Sequence, residues 1–526
     1  MTPDKASILQ PGRTCWRTEQ ANRMALIVDA CDYFAVAKAA IERAQHSIYM
    51  IGWDFDLRLR LDPSNPEASE PDELGAFLKH TVNSRPGLQA YVLKWDMAML
   101  FTLSRQIVPV LALDLMTQRR IHFRLDAQHP SGAAHHQKII VIDDALAFCG
   151  GIDMTDSRWD TRDHKPDDEL RVLPGGSPYP PFHDVTTAVD GDAAKALGEL
   201  ARERWHRATG AHLPPPPACE LDPWPERLKV TLRKVPVSIA RTWPRLGKYE
   251  EIREIERLYL TAILAARETI YMESQYLASH AIRDALIKRL REPDGPEVVV
   301  INPESADGWL EQSVMDTARS LMVRQLRRED RHDRFRIYFP VNAAGTPIYV
   351  HAKVLTIDDR LLRVGSSNLN NRSMGFDTEC DLAIEAVPGE PSAREIADTV
   401  IGFRNDLIAE HLNVSIETVE QTIERRGSLV KAIDSLRQTE GRTLVPLEVE
   451  ELNEVQEQIV EARLLDPERP KQVERAISHT VKKFVTKPNW AVIGAAAAGI
   501  GLAAYAGRRL YTKKYSIRRG DDGGDA

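Results

Sequence analysis

Short apolar runs and amphipathic stretches alternate along most of the chain. Met24–Val28 and Ser47–Ile51 have the apolar content of strands, and Tyr33–Ala44 between them carries apolar residues at helical spacing. The same kind of alternation returns later, where the apolar run Glu297–Ile301 follows the helical pattern of His280–Arg291. Strands that alternate with helices predict an α/β fold built on mixed sheets.

One polar pattern occurs twice in the chain. In each copy a histidine and a lysine stand two positions apart, an aspartate follows, and a pair of small residues comes seven positions after the aspartate. The residues are His136, Lys138 and Asp143 with Gly150-Gly151, and His351, Lys353 and Asp358 with Gly365-Ser366. Alternation along a strand predicts that each histidine and lysine share one face of a strand that opens a hairpin. Both aspartates then lie on the opposite face, where we assign them a structural role at the turn.

These residues are suited to phosphoryl chemistry. A histidine can attack phosphorus or move a proton, and lysine or asparagine side chains can hold phosphate oxygens as charge develops. The candidate phosphate-binding residues are Lys138, Lys353, Ser366 and Asn368. Two histidines suit a two-step displacement, with one nucleophile and one general acid. Neither these residues nor the neighbouring His129 and His135 have the companions of a metal site, so we expect no metal and no cofactor.

The duplication extends beyond the two motifs. Ala40–Met50 aligns with Ala262–Met272, which indicates a tandem of two similar halves. A proline-rich linker lies near Pro214–Pro217, and the pattern turns helical after Pro388. The predicted divisions are 1–225 and 226–390 for the two halves, 391–489 for a helical extension, 490–507 for an apolar segment and 508–526 for a basic tail.

Composition narrows the class of partner. The 526 residues carry a net charge of −8, and 43% are hydrophobic, which is ordinary for a globular protein with sizeable cores. An acidic balance argues against a nucleic-acid partner, whose binding surface would need a basic surplus. The five cysteines are scattered and lack metal-ligand spacing, which predicts free thiols in a reducing compartment.

Longer segments around the motifs resemble the phospholipase D superfamily. They are AFCGGIDMTDSRWDTRDH and PYPPFHDVTTAVDG in the first half, and IYMESQYL, IYVHAKVLTIDDRLLRVGSSNLNNRSMG and DTECDLAIE in the second. They are similar to the phospholipase D/transphosphatidylase branch of eukaryotic type more than to the short nucleases of the superfamily. The first half departs from the commoner pattern, since Gly151 stands for the usual serine and Asp153 for the usual asparagine.

The resemblance implies where the site lies and how it is arranged. The two halves would pack together, each with its own sheet and with the active site at the seam. Asp184 would orient His136 and Glu379 would orient His351, because a carboxylate on the far imidazole nitrogen fixes the tautomer and stabilises the cation. The resemblance also favours His136 as the nucleophile and His351 as the general acid.

The implied activity is cleavage of the headgroup-side phosphodiester of a phospholipid through a phosphatidyl-histidine, with transfer to an alcohol as a second outcome. A cardiolipin-synthase-like phosphatidyltransferase would use the same residues, and a superfamily nuclease is a third alternative. A non-enzymatic membrane scaffold is disfavoured because both His-Lys pairs are intact.

The apolar segment Trp490–Gly507 contains 18 residues without a charge. As a helix it would be about 27 Å long, just enough to span a bilayer. We expect it to be a membrane anchor, although its Ala and Gly content also suits a buried helix. The N-terminus shows no secretory signal, so the catalytic part is expected in the cytoplasm, working at a membrane surface.

Overall fold

The structure is a computed structural model, and it describes residues 7–65, 71–96, 119–306, 315–449 and 466–468. The strands are β1 Arg17–Val28, β2 Ser47–Gly52, β3 Gln89–Trp95, β4 Ile121–Asp126, β5 Ile139–Ile142, β6 Leu146–Gly150, β7 Phe182–His183, β8 Val185–Asp190, β9 Leu232–Trp243, β10 Ile252–Arg253, β11 Thr269–Glu273, β12 Glu297–Ile301, β13 Phe335–Val341, β14 Tyr349–Val350, β15 Val354–Ile357, β16 Leu361–Gly365, β17 Glu379–Glu385 and β18 Thr443–Pro446.

Helices alternate with these strands along the described chain. They are α1 Ala30–Ile41, α2 Leu74–Ser84, α3 Gly191–Thr209, α4 Glu254–Ala265, α5 His280–Leu290, α6 Thr317–Glu329, α7 Asn371–Gly375, α8 Ala393–Leu412, α9 Ile416–Arg426 and α10 Leu429–Leu436. Strands and helices alternate as the sequence pattern predicts, so the α/β fold class is confirmed.

One mixed sheet runs through both halves of the described chain. Its strand order is β18-β13-β12-β11-β15-β16-β17-β9-β1-β8-β6-β5-β2-β3-β4. The run from β9 to β13 repeats the run from β1 to β4, with four antiparallel pairings followed by two parallel ones in each. Each half is therefore one copy of the same arrangement.

The prediction of a separate sheet in each half was wrong, because β1 of the first half pairs with β9 of the second and joins the two sheets into one. β1 and β9 are each 12 residues long and pair antiparallel, from Arg17 opposite Ile239 to Met24 opposite Leu232. Each also pairs with a strand of its own half, so the edge that each half would present alone is covered by the other.

The two halves also face each other across a shared core. Alternate residues of a strand point to opposite faces, so Ile51 lies in the core between the halves while Met50 lies in the outer core beneath α1 and α2. Leu382 and Ile384 of β17 enter the shared core from the other side. The Sγ of Cys149 lies 3.6 Å from the carbonyl of Cys380 at this seam, and all five cysteines are free thiols.

A short parallel pair of strands ties the halves together beside the seam. Phe182 and His183 of β7 stand opposite Tyr349 and Val350 of β14. This pairing brings the residues after His183 next to the second-half motif.

Several sequence predictions fall on residues that the structure does not describe. They are a helix over Ser104–Met116, the acidic stretch near Glu448–Glu461 for all but its first two residues, the apolar segment Trp490–Gly507 and the basic tail. Among the described residues, no helix is long and apolar enough to cross a membrane. The division of the chain at residues 225 and 390 stays a prediction.

Candidate active site

The histidine and lysine of each motif lie just before a strand, not within one. β5 begins at Ile139 and β15 at Val354, so the expected placement on the strand itself is wrong. The main-chain N–H of His136 donates to the carbonyl of Thr378 (3.0 Å), and that of His351 donates to the carbonyl of His183 (2.8 Å). Each histidine is therefore held by a backbone bond to the opposite half.

Each histidine also takes its carboxylate from the opposite half. Nδ1 of His351 lies 2.6 Å from Oδ2 of Asp184, and Nδ1 of His136 lies 3.0 Å from both oxygens of Glu379. The expected pairing within each half is wrong. The exchange follows from the backbone bonds, because His183 immediately precedes Asp184 and Thr378 immediately precedes Glu379.

The carboxylates are buried and supported by further donors. Both oxygens of Glu379 accept hydroxyl bonds, from Ser366 at 2.5 Å and from Ser373 at 2.7 Å. Asp184 accepts from the N–H of Val185 at 2.7 Å. Ser366 was expected to bind phosphate, but its single hydroxyl proton is already donated to Glu379. Ser373 was not identified from the sequence, where it is one small residue in a polar run.

Gly151 leaves room for Asp184. A Cβ at position 151 would lie 2.1 Å from Oδ1 of Asp184, so no larger residue fits there without displacing the carboxylate. Ser366 occupies the equivalent position in the second half, where its hydroxyl contacts Glu379 instead. Glycine in place of the commoner serine at position 151 therefore leaves the space in which Asp184 reaches His351.

The two lysines lie deep in the site. Nζ of Lys138 is 2.9 Å from Oδ2 of Asp153, the residue that stands where asparagine is more usual, and 3.2 Å from the carbonyl of His136. Lys353 donates to the carbonyl of His351. Asn368 is 3% exposed, and its Oδ1 has no hydrogen-bond partner in the described part of the chain.

Asp143 and Asp358 lie at the turns of their hairpins, on the side away from the histidines. Asp143 accepts from the main-chain N–H groups of Gln45, His46 and Ser47 at 2.6–2.8 Å. Asp358 does the same for Arg267, Glu268 and Thr269 at 2.8–2.9 Å. These contacts tie each hairpin turn to the start of β2 or β11, as their assignment to a structural role predicts.

Burial sets the protonation of the site. Burial lowers the pKa of both imidazoles well below the usual value, and the charges of Lys138 and Lys353 lower that of His136 further. Burial raises the pKa of Glu379 to about 8 and that of Asp184 to about 7, and it lowers the pKa of Lys353 to about 7. Both imidazoles are therefore neutral near neutral pH, where Glu379 is mostly protonated. Nδ1 of each imidazole faces the carboxyl group of its partner, and Nε2 points away from that group.

Arg158 adds a third cation beside the second histidine. Its guanidinium stacks 4.8 Å from the ring centre of Phe182, and its charge lowers the pKa of both His351 and Lys353. The sequence pattern around Arg158 suits either a solvated loop or a headgroup contact. The adjacent Trp159 and Asp160 are buried, which rules out a solvated loop at those positions.

The fold and the site together define a class: a duplicated α/β protein in which two histidine–carboxylate pairs, each built across the halves, lie with two lysines. Residues 259–400 match the family model described as "Cardiolipin synthase, PLD-like domain". The chain is 25% identical to phospholipase D A of Dictyostelium discoideum, covering 74% of this chain and 35% of that protein. It is 24% identical to phospholipase D alpha 1 of Zea mays, covering 73% of this chain and 64% of that one.

A solved structure, the phosphatidylserine synthase of Haemophilus influenzae, is similar with a TM-score of 0.49 at 12% identity, covering 79% of this chain and 95% of that one. The chain spans about a third of the length of the first relative and somewhat under two thirds of the second. The family model and the relatives named phospholipase D make the chain similar to the phospholipase D superfamily.

Proposed function

We propose that the protein is a phospholipase D-type phosphodiesterase that cleaves the headgroup-side ester of a phospholipid and can pass the phosphatidyl group to an alcohol. The observation that carries this is the pair of buried imidazoles, each with Nδ1 bound to a carboxylate and Nε2 left to react. Relatives named phospholipase D support the same reaction class.

In the first step, Nε2 of His136 attacks phosphorus while the bond to the headgroup oxygen breaks. His351 gives its Nε2 proton to that oxygen, and the headgroup alcohol leaves. In the second step, His351 takes a proton from water or an alcohol, whose oxygen displaces His136 from phosphorus. The lysines and Asn368 face the oxygens on which negative charge develops.

Substrate binding is needed before His351, the general acid, can take up its second proton. In the free site the pKa of His351 is held down by burial, then by the charges of Lys353 and Arg158. An anionic phosphodiester placed among these cations offsets their effect, so the imidazole can hold its second proton when the headgroup needs it. An empty site keeps both histidines neutral.

The full chain should be tested on vesicles of phosphatidylcholine or phosphatidylglycerol, and separately on DNA, with and without a primary alcohol. Formation of a phosphatidyl-alcohol, absent in His136→Ala, supports the proposal. DNA cleavage without lipid turnover would overturn it.

A second candidate is a cardiolipin-synthase-like phosphatidyltransferase, which the description of the matching family model favours. This enzyme would join phosphatidylglycerol to a second lipid alcohol by the same two steps. Formation of cardiolipin from phosphatidylglycerol vesicles, faster than release of phosphatidic acid, would identify it.

The two histidines can be told apart with a substrate whose leaving group is p-nitrophenol, which needs little protonation. His351→Ala should still release a burst of p-nitrophenol and accumulate a phosphohistidine. His136→Ala should give neither. The opposite pattern would exchange the two roles, and a burst from both variants would mean that water attacks phosphorus directly.

We also propose that Trp490–Gly507 anchors the enzyme to its membrane, with the catalytic part on the cytoplasmic side. Support comes from the uncharged composition of the segment and from the basic residues on both sides of it, which suit anionic headgroups.

A further inference from the structure

A buried cluster of two histidines and two carboxylates lies behind the His351–Asp184 pair. It consists of Asp29 at the end of β1, His164 in the loop before β7, His183 in β7 and Glu410 in α8. One ligand atom from each of the four side chains lies within 4.8 Å of the others. The side chains are 0–2% exposed.

One nitrogen or oxygen atom of each side chain points to the centre of the cluster. The distances between these inward atoms suit ligands that surround one metal ion. Nδ1 of His183 is 3.0 Å from Oε1 of Glu410, and Nε2 of His164 is 3.2 Å from the same oxygen and 3.6 Å from Oδ2 of Asp29. Four ligands at about 2.1 Å from a tetrahedral Zn²⁺ would be about 3.4 Å apart.

Two of the inward atoms make no hydrogen bond in the described chain. Oδ2 of Asp29 and Nδ1 of His183 are fully buried, and neither makes a hydrogen bond of good geometry, although Nδ1 of His183 lies 3.0 Å from Oε1 of Glu410 and 3.1 Å from Oδ1 of Asp29. Leaving buried polar atoms without a partner is costly. A cation at the centre would satisfy both, because each directs a lone pair inward when His183 is neutral.

The second nitrogen or oxygen atom of each of the four side chains points away from the centre and already makes a hydrogen bond to the protein. Nδ1 of His164 is held by Asp160 at 3.0 Å, and Nε2 of His183 by Glu273 at 2.9 Å. Oδ1 of Asp29 accepts from the N–H of Asp184 at 3.1 Å, and Oε2 of Glu410 accepts from Arg162. Metal-bound histidines usually carry a carboxylate or carbonyl on the other ring nitrogen, which fixes the tautomer.

We infer that Asp29, His164, His183 and Glu410 form a structural site for a divalent cation, with Zn²⁺ the best fit. Two imidazoles and two carboxylates in a closed, four-donor arrangement match the preference of zinc. The two carboxylate charges neutralise the ion, so a buried site carries no net charge. No donor position is left for substrate, which separates this site from the chemistry at His136 and His351.

The ion would position one half of the active site. The main-chain N–H of Asp29 donates to the carbonyl of Asp184, and Oδ1 of Asp29 accepts from the main-chain N–H of Asp184. The carbonyl of His183 accepts from the N–H of His351. Three parts of the chain meet at the ion: the end of β1, the segment that includes His164 and His183, and the C-terminal part of α8. Tying them together holds Asp184 against His351.

The test is metal content, which needs no lipid substrate. The full chain, made without a histidine tag in zinc-supplemented medium and passed over a chelating resin, should keep about one zinc per chain. His164→Gln and Glu410→Gln should each keep less than roughly 0.1. His129→Gln is the matched control, because His129 also pairs with a carboxylate, Asp96, but lies outside the cluster; it should retain the metal.

Less than roughly 0.1 metal per chain in the native protein, or full retention in both cluster variants, would overturn the site. If the variants do not fold, the native chain can be produced in medium that contains Co²⁺ in place of zinc. It should then show the intense visible absorption of tetrahedral Co²⁺. The weak absorption of octahedral Co²⁺, or no absorption, would overturn the proposed site. An inactive protein that binds zinc contradicts the proposed function but not this site.

A further readout depends on the proposed function. Because the ion lies behind the His351–Asp184 pair, chelation should slow cleavage of a natural lipid more than the p-nitrophenol burst. Equal loss of both would contradict the positioning role.

Discussion

The carboxylate of Asp184 lies 2.6 Å from Nδ1 of His351, which is 167 residues further along the chain. The equivalent bond joins His136 to Glu379 in the reverse direction across the seam. Each reactive imidazole therefore depends on both halves, and neither half contains a complete histidine–carboxylate pair.

The exchanged pairs predict different effects for two carboxylate replacements. In Asp184→Asn the amide oxygen keeps the bond to the N–H of Val185, so the amide NH2 faces Nδ1 of His351 and favours the wrong tautomer. Turnover of a natural lipid should therefore fall about 10²- to 10⁴-fold. The p-nitrophenol burst should remain. Glu379→Gln acts on His136 and should abolish both.

The measurement is burst amplitude and lipid turnover for the two variants side by side. Asp144→Asn is a suitable control, because Asp144 pairs with Arg202 and touches neither histidine. A burst that survives in Glu379→Gln but not in Asp184→Asn would contradict the roles assigned to the histidines.

The motif aspartates should matter for stability, not for chemistry. Asp358→Ala leaves three main-chain N–H groups without their acceptor, so the free energy of unfolding should fall by about 2–4 kcal/mol. The kcat of the folded variant should stay within about threefold of the native value. Denaturant unfolding and lipid turnover at low temperature check this. A kcat lower by more than about 100-fold at unchanged stability would show a chemical role.

Asp153 should weaken binding of an anionic phosphodiester, because its carboxylate is paired with Lys138. Asp153→Asn keeps the shape and removes one negative charge. We expect KM to fall about three- to tenfold, equivalent to roughly 0.6–1.4 kcal/mol, with kcat little changed. Vesicle turnover across lipid concentrations measures both. A rise in KM would show that the ion pair is needed to hold Lys138 in place.

Glu379 should make stability fall as pH rises. Its pKa is raised from 4.5 to about 8 by burial, so between these values the folded chain keeps a proton that the unfolded chain has lost. The native protein should therefore lose stability relative to Glu379→Gln by up to about 1.4 kcal/mol per pH unit across this range, and level off above it. Denaturant unfolding of both proteins at several pH values gives the difference. A difference that does not change between pH 5 and 8 would contradict the raised pKa.

The apolar C-terminal segment should be separable from catalysis. Deleting Trp490–Ala526 should release the enzyme from membranes and leave turnover of detergent-dispersed lipid largely intact, because both motifs and their carboxylates end by Glu379. Membrane fractionation and a detergent assay check this. A truncated chain that stays wholly bound has another anchor, and one that is insoluble and unfolded needs the segment for its core.

Local patterns in the sequence predicted much of the fold. Periodicity identified the strands Glu297–Ile301 and Ser47–Ile51 to within a residue, because buried strands carry continuous apolar runs. The repeated motif predicted two equivalent halves, and the structure confirms them in its duplicated strand order. The prediction that His351 lies within a strand was wrong, because the strand begins three residues later, at Val354. A short extended segment has the same side-chain alternation as a strand, so the sequence pattern does not separate the two.

The sequence by itself identified the two histidines and two lysines from residue type and repeated spacing, and the family resemblance added the two carboxylates, Asp184 and Glu379. Only the tertiary structure decided which carboxylate serves which histidine. That choice depends on the pairing of β7 with β14 and of residues 134–136 with Thr378, which are contacts between distant parts of the chain that local propensity does not encode. The same applies to Asp29, His164, His183 and Glu410, which share no spacing in the sequence and meet only because three separate parts of the chain converge.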